Sequence, residues 1–266
     1  SVRRERIVKA YRRAGNDVEC LEDIRNLNLA ETQLVRPHLK VGYAAVTATE
    51  AAVSSVFATG GAVAAVLGLG VASAPGIGVI AAAIGLDIAT FLASSARLVS
   101  HTAAYYGYDT KDPAEKLFSA MVLSQAIAPR SVVSDHAVEQ EASMRLFNKV
   151  VRKLTKRGSM GSIGNNALTA SVNSLFAALG ARLVGMKMAQ ILPIIGIIVG
   201  MTLNASLIRT IGVTADNLYR ERLLLERYGQ EEDAKAEAPS DGADDPDDLD
   251  EELARYVEIA EAESRP

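Results

Sequence analysis

The residues able to do chemistry are few in this chain of 266 residues: three histidines, one cysteine and a handful of isolated carboxylates. Cys20 stands alone, which excludes an intrachain disulfide and any Cys-based zinc site. It has no His or Asn/Asp pattern around it that would mark a nucleophile. His136, with Asp135 and Glu139, puts a ring and a carboxylate on one helical face. A ferritin-like centre needs two Glu-x-x-His pairs, and the chain has none, so no metal and no cofactor is expected. The G-x-x-x-x-G-K-[ST], H-E-x-x-H and G-x-S-x-G patterns are absent. Four polar residues remain as candidates for a buried site: Asp87, Tyr106, Asp109 and Asn204. Asp87 is flanked by apolar turns; a buried carboxylate must find a partner or take up a proton, and Arg97, Arg182 or Lys187 could supply one. Asp109 suits a turn after Tyr108.

The elements that would position these residues are helical. Residues 51–86 hold 36 consecutive uncharged side chains, many of them Gly and Ala. A surface helix needs a polar face, so this stretch must bury its whole circumference, in protein or in lipid. Ser73-Ala74-Pro75-Gly76 divides it into Val53–Ala72 and Ile77–Val99, each long enough to cross about 30 Å of hydrocarbon. Small residues recur every fourth position, at Gly60-Ala64-Gly68-Ala72 and Ala81-Gly85-Ala89-Ala93. Such stripes let two helix backbones approach closely. A second uncharged run, 188–208, carries Gly196 and Gly200 as a G-x-x-x-G pair. The expected fold is all-α: a multi-helix bundle around a glycine- and alanine-rich central hairpin.

Other helices follow from periodicity and punctuation. Residues 2–15 read as a basic amphipathic helix and 17–30 as its helical continuation, with Pro37 as the break. Thr110-Lys111-Asp112-Pro113 reads as a helix start, with Pro113 in the first turn of a helix over about 114–126. Residues 130–157 form a polar helical stretch, 158–166 a Gly/Ser/Asn loop, 167–184 an apolar helix and 209–228 a polar one. No strand pattern of useful length occurs.

Charge divides the chain. Residues 229–266 hold 15 acidic and 3 basic side chains, whereas residues 1–228 hold 17 acidic and 25 basic. This predicts a folded body over 1–228 and an acidic, largely disordered tail over 229–266, with a short helix at Glu251–Glu263. The basic body points to an anionic partner. Arg3, Arg4, Arg6, Arg152, Lys153, Lys156 and Arg157 are the candidate contacts to lipid headgroups. Nucleic acid is disfavoured, because the basic clusters lack interleaved aromatics and the tail would compete for them. The lone cysteine fits a reducing, cytoplasmic location, and no apolar leader segment follows the basic start.

Tyr106-Gly107-Tyr108-Asp109 followed by Pro113 resembles the Y-G-x-D stretch of the EcsC family. Leu192-Pro193-Ile194-Ile195-Gly196, with Gly200 and Asn204, resembles that family's L-P-x-x-G…N segment. The resemblance covers roughly residues 1–228. The family is bacterial and named for a protein encoded beside an ABC transporter. The resemblance implies an all-helical, membrane-linked protein and supplies no catalytic residues; protease labels gain no support without a nucleophile and base.

The sequence therefore leads to one expectation and two alternatives. The expectation is a membrane-associated helical protein at the cytoplasmic face, binding anionic lipid or a membrane protein, peripheral or conditionally inserted, with no defined reaction. The first alternative is a lipid or small-molecule hydrolase with a pocket near Asp87, Tyr106, Asp109 and Asn204. The second is a soluble interaction module whose acidic tail engages a basic partner or its own body.

Overall fold

The computed structural model describes residues 2–37, 39, 43, 74–127, 150, 165–188, 196–236 and 246–262. Among them every regular element is helical. Helix α1 spans Arg4–Arg13, a 3-10 turn Glu22–Asn26, α2 Leu29–Val35, α3 Ala74–Tyr105, α4 Pro113–Ile127, α5 Asn165–Met188, α6 Gly196–Ala236 and α7 Pro246–Ala262. The all-α expectation holds. The first limb of the expected hairpin, with Gly60 and Gly68, lies outside the described residues, as do Arg152, Lys153, Lys156 and Arg157.

The described bundle is organised around α4. Leu117, Phe118, Met121, Val122 and Leu123 are buried, and so are the intervening Ser119, Ala120 and Ser124. A helix apolar all round belongs in a core. Asp112 accepts a hydrogen bond from the Ala114 amide at 2.9 Å, and Pro113 occupies the first helical position. Helices α3, α5 and α6 pack against α4 and α3 packs also on α5 and α6, while α7 lies on α5. A smaller cluster of Ile7, Tyr11, Val18, Leu21, Ile24 and Ala104 fixes α1 and the 3-10 turn to the C-terminal end of α3.

Three local departures from expectation have clear causes. Residues 17–30 do not form one helix. Asp23 accepts from the Glu19 and Cys20 amides, both at 2.8 Å, and holds that backbone out of helix. Asn28 and Glu31 then form a reciprocal capping box that starts α2. At the other end of the chain, 188–208 and 209–228 are not separate helices: α6 runs unbroken from Gly196 for 41 residues. It continues to Ala236, because Glu231–Ala236 consists of helix-compatible residues. The acidic segment is helical again from Pro246, where proline in the first turn and Asp247 and Asp248 suit a helix N-terminus.

Helix α3 ends on a left-handed glycine. Gly107 has φ +85°, its amide donates to the Ala104 carbonyl at 3.1 Å, and the Tyr108 amide donates to the Ala103 carbonyl at 3.0 Å. This is the paired Schellman closure. A Cβ on Gly107 would stand 2.8 Å from Arg25 Cγ and 2.9 Å from the Leu21 carbonyl oxygen. Gly107→Ala is therefore expected to lower the unfolding free energy by about 1–3 kcal/mol from backbone strain alone, more if the 3-10 turn must retreat. Denaturant melts of the full chain check this; an unchanged midpoint would mean the turn tolerates a side chain.

Candidate functional site

The turn at 106–109 sits among the densest polar contacts of the described structure. The Tyr106 hydroxyl donates to Asp216 Oδ1 at 2.6 Å, and Arg36 Nη2 donates to Asp216 Oδ2 at 2.8 Å. Arg36 also forms an ion pair with the other oxygen of Asp216 and lies 5.4 Å from the Tyr106 ring centroid. Asp109 pairs with Arg4 at 2.5 Å and accepts from the Lys111 amide at 3.1 Å, so it both closes a turn and fastens α1. The Tyr11 hydroxyl donates to the Tyr105 carbonyl at 2.6 Å and fastens α1 a second time.

Tyr108 opens onto a deeper group. Its ring lies 4.4 Å from the guanidinium of Arg222 and 5.5 Å from the Tyr219 ring. Arg25 approaches the same ring at 5.5 Å, and Arg222 also lies 4.8 Å from the Phe118 ring. Arg222 reaches Glu115 through two hydrogen bonds of 2.6 and 2.9 Å, and Glu226 through a third of 3.1 Å. The Tyr219 hydroxyl shares a 2.9 Å hydrogen bond with Ser119, and its ring stacks on Tyr106 at 6.4 Å. Arg227 donates to the Arg25 carbonyl at 2.9 Å and also reaches the Leu27 carbonyl, which ties the 3-10 turn to α6.

Burial decides the electrostatics. Desolvation pushes the Glu115 carboxyl up, with Arg222 pulling against it. Burial disfavours the Arg222 charge, but Glu115 more than offsets this, and the guanidinium stays charged. Burial likewise pushes the Tyr11, Tyr108 and Tyr219 phenols well above their usual value. Glu115 and Arg222 satisfy one another, and the Tyr11 and Tyr219 hydroxyls each have a partner, whereas the Tyr108 hydroxyl is buried with no hydrogen-bond partner among the described residues. They hold three chain segments together.

The four candidate polar residues do not share one pocket. Asp87 and Tyr106 stand 19 positions apart along α3, about 28 Å at helical rise. Asn204 and Tyr106's partner Asp216 stand 12 positions apart on α6, about 18 Å. Asp87 and Asn204 are each buried, away from the 106–109 turn. Of the basic candidates, Arg3 and Arg6 are exposed while Arg4 is engaged by Asp109. Gly196 and Gly200 lie in the first turns of α6. Gly85 is exposed, and among the described residues nothing lies within 4 Å of where its Cβ would be. Cys20 is exposed, and hydrogen bonding with Asp23 pushes its thiol up, which disfavours the thiolate. No group of three or more metal-ligating side chains occurs among the described residues.

The sequence model of the EcsC protein family matches residues 5–224. The chain belongs to the EcsC family. Neither the curated proteins nor the solved structures contain a match to it. The EcsC match ends inside α6, two residues beyond Arg222, and so encloses Arg36, Tyr106, Tyr108, Glu115, Asp216, Tyr219 and Arg222, which together form a tyrosine–arginine clasp. Its Y-G-x-D stretch here has a physical meaning: Tyr106 takes Asp216, Gly107 makes the turn, Tyr108 covers Arg222 and Asp109 takes Arg4.

Glu115, Arg222, Asp216, Arg36 and Tyr219 did not stand out in the sequence. A usable signal existed on α6, where Ile208, Ile211, Ala215, Tyr219 and Arg222 fall on one buried stripe. A charge on an otherwise apolar stripe marks a buried ion pair. Its partner, Glu115, could not be found this way, because α4 has apolar residues on every side.

Two outcomes are expected. Glu115→Ala strands the Arg222 charge and should cost about 3–5 kcal/mol, whereas the apolar pair Glu115→Leu with Arg222→Met should cost far less; denaturant unfolding of both variants reads the difference. The buried phenols have folded pKa values above the ordinary 10.0. Their contribution to stability is complete below pH 10 and is lost as pH rises beyond it, because the unfolded chain ionises first. Tyrosinate absorbance should therefore rise together with loss of helical circular dichroism above pH 10; a full tyrosine titration with the helices intact would contradict the burial.

Proposed function

We propose that this EcsC family protein is a membrane-associated helical protein that meets the bilayer through its uncharged end and carries the tyrosine–arginine clasp at the opposite end. One observation carries the reading. The uncharged run 51–86 enters α3 and ends at Leu86, whose side chain is 64 % exposed. Ala89 and Ala93 continue that exposed face, one helical turn apart each. Leu86 with the exposed Ala89 and Ala93 makes an uncharged face at the end of that run, and such a contiguous apolar face is what a membrane contact needs. Among the described residues, one stretch, Leu168–Met186 of α5, is long and apolar enough to cross a membrane by length and composition, and a third of it is buried.

Geometry separates two modes that the sequence left combined. Leu86 and Tyr105 are about 28 Å apart along α3, and α1 is fastened beside Tyr105 and Asp109. Attraction to anionic headgroups fades within a Debye length of about 8–10 Å. With α3 standing on a bilayer at its uncharged end, Arg3 and Arg6 are too far away to contribute. The proposal therefore favours apolar contact over headgroup attraction. A hydrolase gains no support, since its candidate residues do not converge.

Flotation of the full chain with liposomes tests the reading. The expected result is binding to neutral and anionic vesicles alike, weakly dependent on salt, reduced by Leu86→Glu and unchanged by Arg3→Gln with Arg6→Gln. Binding only to anionic vesicles, abolished by the arginine changes, would transfer the contact to α1. No flotation with either lipid would end the membrane reading.

A further inference from the structure

Helix α7 lies outside the residues matched by the family model. The family match stops at residue 224, whereas α7 begins at Pro246. Yet α7 is seated in the main core. Leu253, Tyr256 and Ala260 are buried there, and Val257 packs half-buried beside them. Tyr256 adds a polar hook: its hydroxyl accepts from Gln125 Nε2 at 3.1 Å and lies 3.5 Å from the Met121 carbonyl. Gln125 and Met121 belong to α4, and the long contact of α7 is with α5. A groove built by two helices of the family domain is thus filled by a helix from outside it.

The occupant has the anatomy of a helix-in-groove ligand. Its contact is a single stripe at i, i+3, i+4 and i+7. Its exposed side is acidic: Glu251, Glu258 and Glu261 face solvent, Glu252 is buried beside Leu253, and residues 246–262 carry seven carboxylates against the single Arg255. The domain that receives it is basic in balance, with 25 basic and 17 acidic side chains over residues 1–228, so association is electrostatically favoured. Nine residues, 237–245, connect α7 to α6. A tether that short gives an effective concentration in the millimolar range, enough to fill the groove even when the free helix binds weakly.

We infer that the α4–α5 groove is a docking site for acidic amphipathic helices, that α7 is its tethered occupant, and that the partner it accepts in trans is a helix presenting Leu, Tyr and Ala at i, i+3 and i+7 with an acidic outer face. The intact chain holds the site closed. A partner helix enters when it outcompetes α7.

The test uses the full chain with a protease site placed within 237–245 and a fluorescent peptide of residues 246–262. After cleavage the protein exchanges its own fragment for the labelled peptide, and binds it at least tenfold more tightly than the uncleaved chain does, in line with the 10²–10⁴-fold advantage of a tether. A peptide carrying Leu253→Asp and Tyr256→Asp does not bind. As a second route, the uncleaved full chain with those two changes, its own helix disarmed, takes up the wild-type peptide. A cleaved chain that never exchanges its fragment, or that loses helical circular dichroism when the fragment is diluted away, makes α7 a permanent core helix and overturns the proposal. Failure of the disarmed chain to take up peptide, together with neutral-vesicle binding well above that of the unaltered chain, overturns it in favour of a lipid-binding groove.

Discussion

The bidentate pair between Arg222 and Glu115 sets the arrangement of everything around it. A guanidinium and a carboxylate taken out of water must meet in a planar fork, and that fork permits one relative placement of α6 and α4. The same guanidinium is covered by the Tyr108 ring and flanked by Phe118, so the end of α3 has one place to be as well. A buried pair of this kind contributes little net stability compared with apolar residues of similar size. What it imposes is position. Gly107 makes that position reachable, because only a left-handed turn with no Cβ lets Tyr106 and Tyr108 point into the bundle while the 3-10 turn presses from the other side.

The polar contacts are graded outward from this pair. Glu115, Arg222 and Tyr106 are nearly dry, the Asp216 and Arg36 that meet the Tyr106 hydroxyl are partly covered, and Arg4 with Asp109 is at the rim. Exposed pairs are worth little in isolation. Here the outer ones gain from being placed: Tyr11 and Arg4 bind consecutive features of one turn, so α1 is held by two contacts whose geometry a rigid scaffold already supplies. The N-terminal segment, basic and amphipathic in sequence, thus serves as a cover over the clasp, with Arg3 and Arg6 left facing water.

Much of this fold was legible in the residues. The amphipathic start, the break at Pro37, the Asp112-Pro113 helix start and the apolar period of α5 occur where pattern and cap chemistry place them; the terminal helix is also present, but it starts five residues earlier than expected, at Pro246. The Y-G-Y-D turn was visible as a motif, but its contacts were not, since Asp216 and Arg222 lie over a hundred positions later in a stretch that reads as simply polar. Helix α4 was read as ordinary because a helix buried on all sides has no period to display. The segment 17–30 failed for the opposite reason: its leucines and isoleucines keep a helical period, but Asp23 and Asn28 capture nearby amides and override it. Of the candidate site residues, Tyr106 and Asp109 do hold the structure together there, while Asp87 and Asn204 belong to other levels of the bundle. Spacing along one helix could have shown that Asp87 and Tyr106 cannot meet.

The same clasp has a consequence for the order in which the molecule can assemble. Arg36 and Asp216 are 180 positions apart, and Arg25 and Arg227 are 202. At a synthesis rate of about 5–20 residues per second, the first segment waits roughly 10–40 s on the ribosome for the acceptors and donors that will hold it. During that interval α1 and the 3-10 turn have only their own small apolar cluster, short of Ala104, to fold around. Closure of the longest loops in the chain is therefore a late event. A segment made long before α6 is secured only when α6 is complete, and until then its aromatic and arginine side chains stay open to whatever else is nearby.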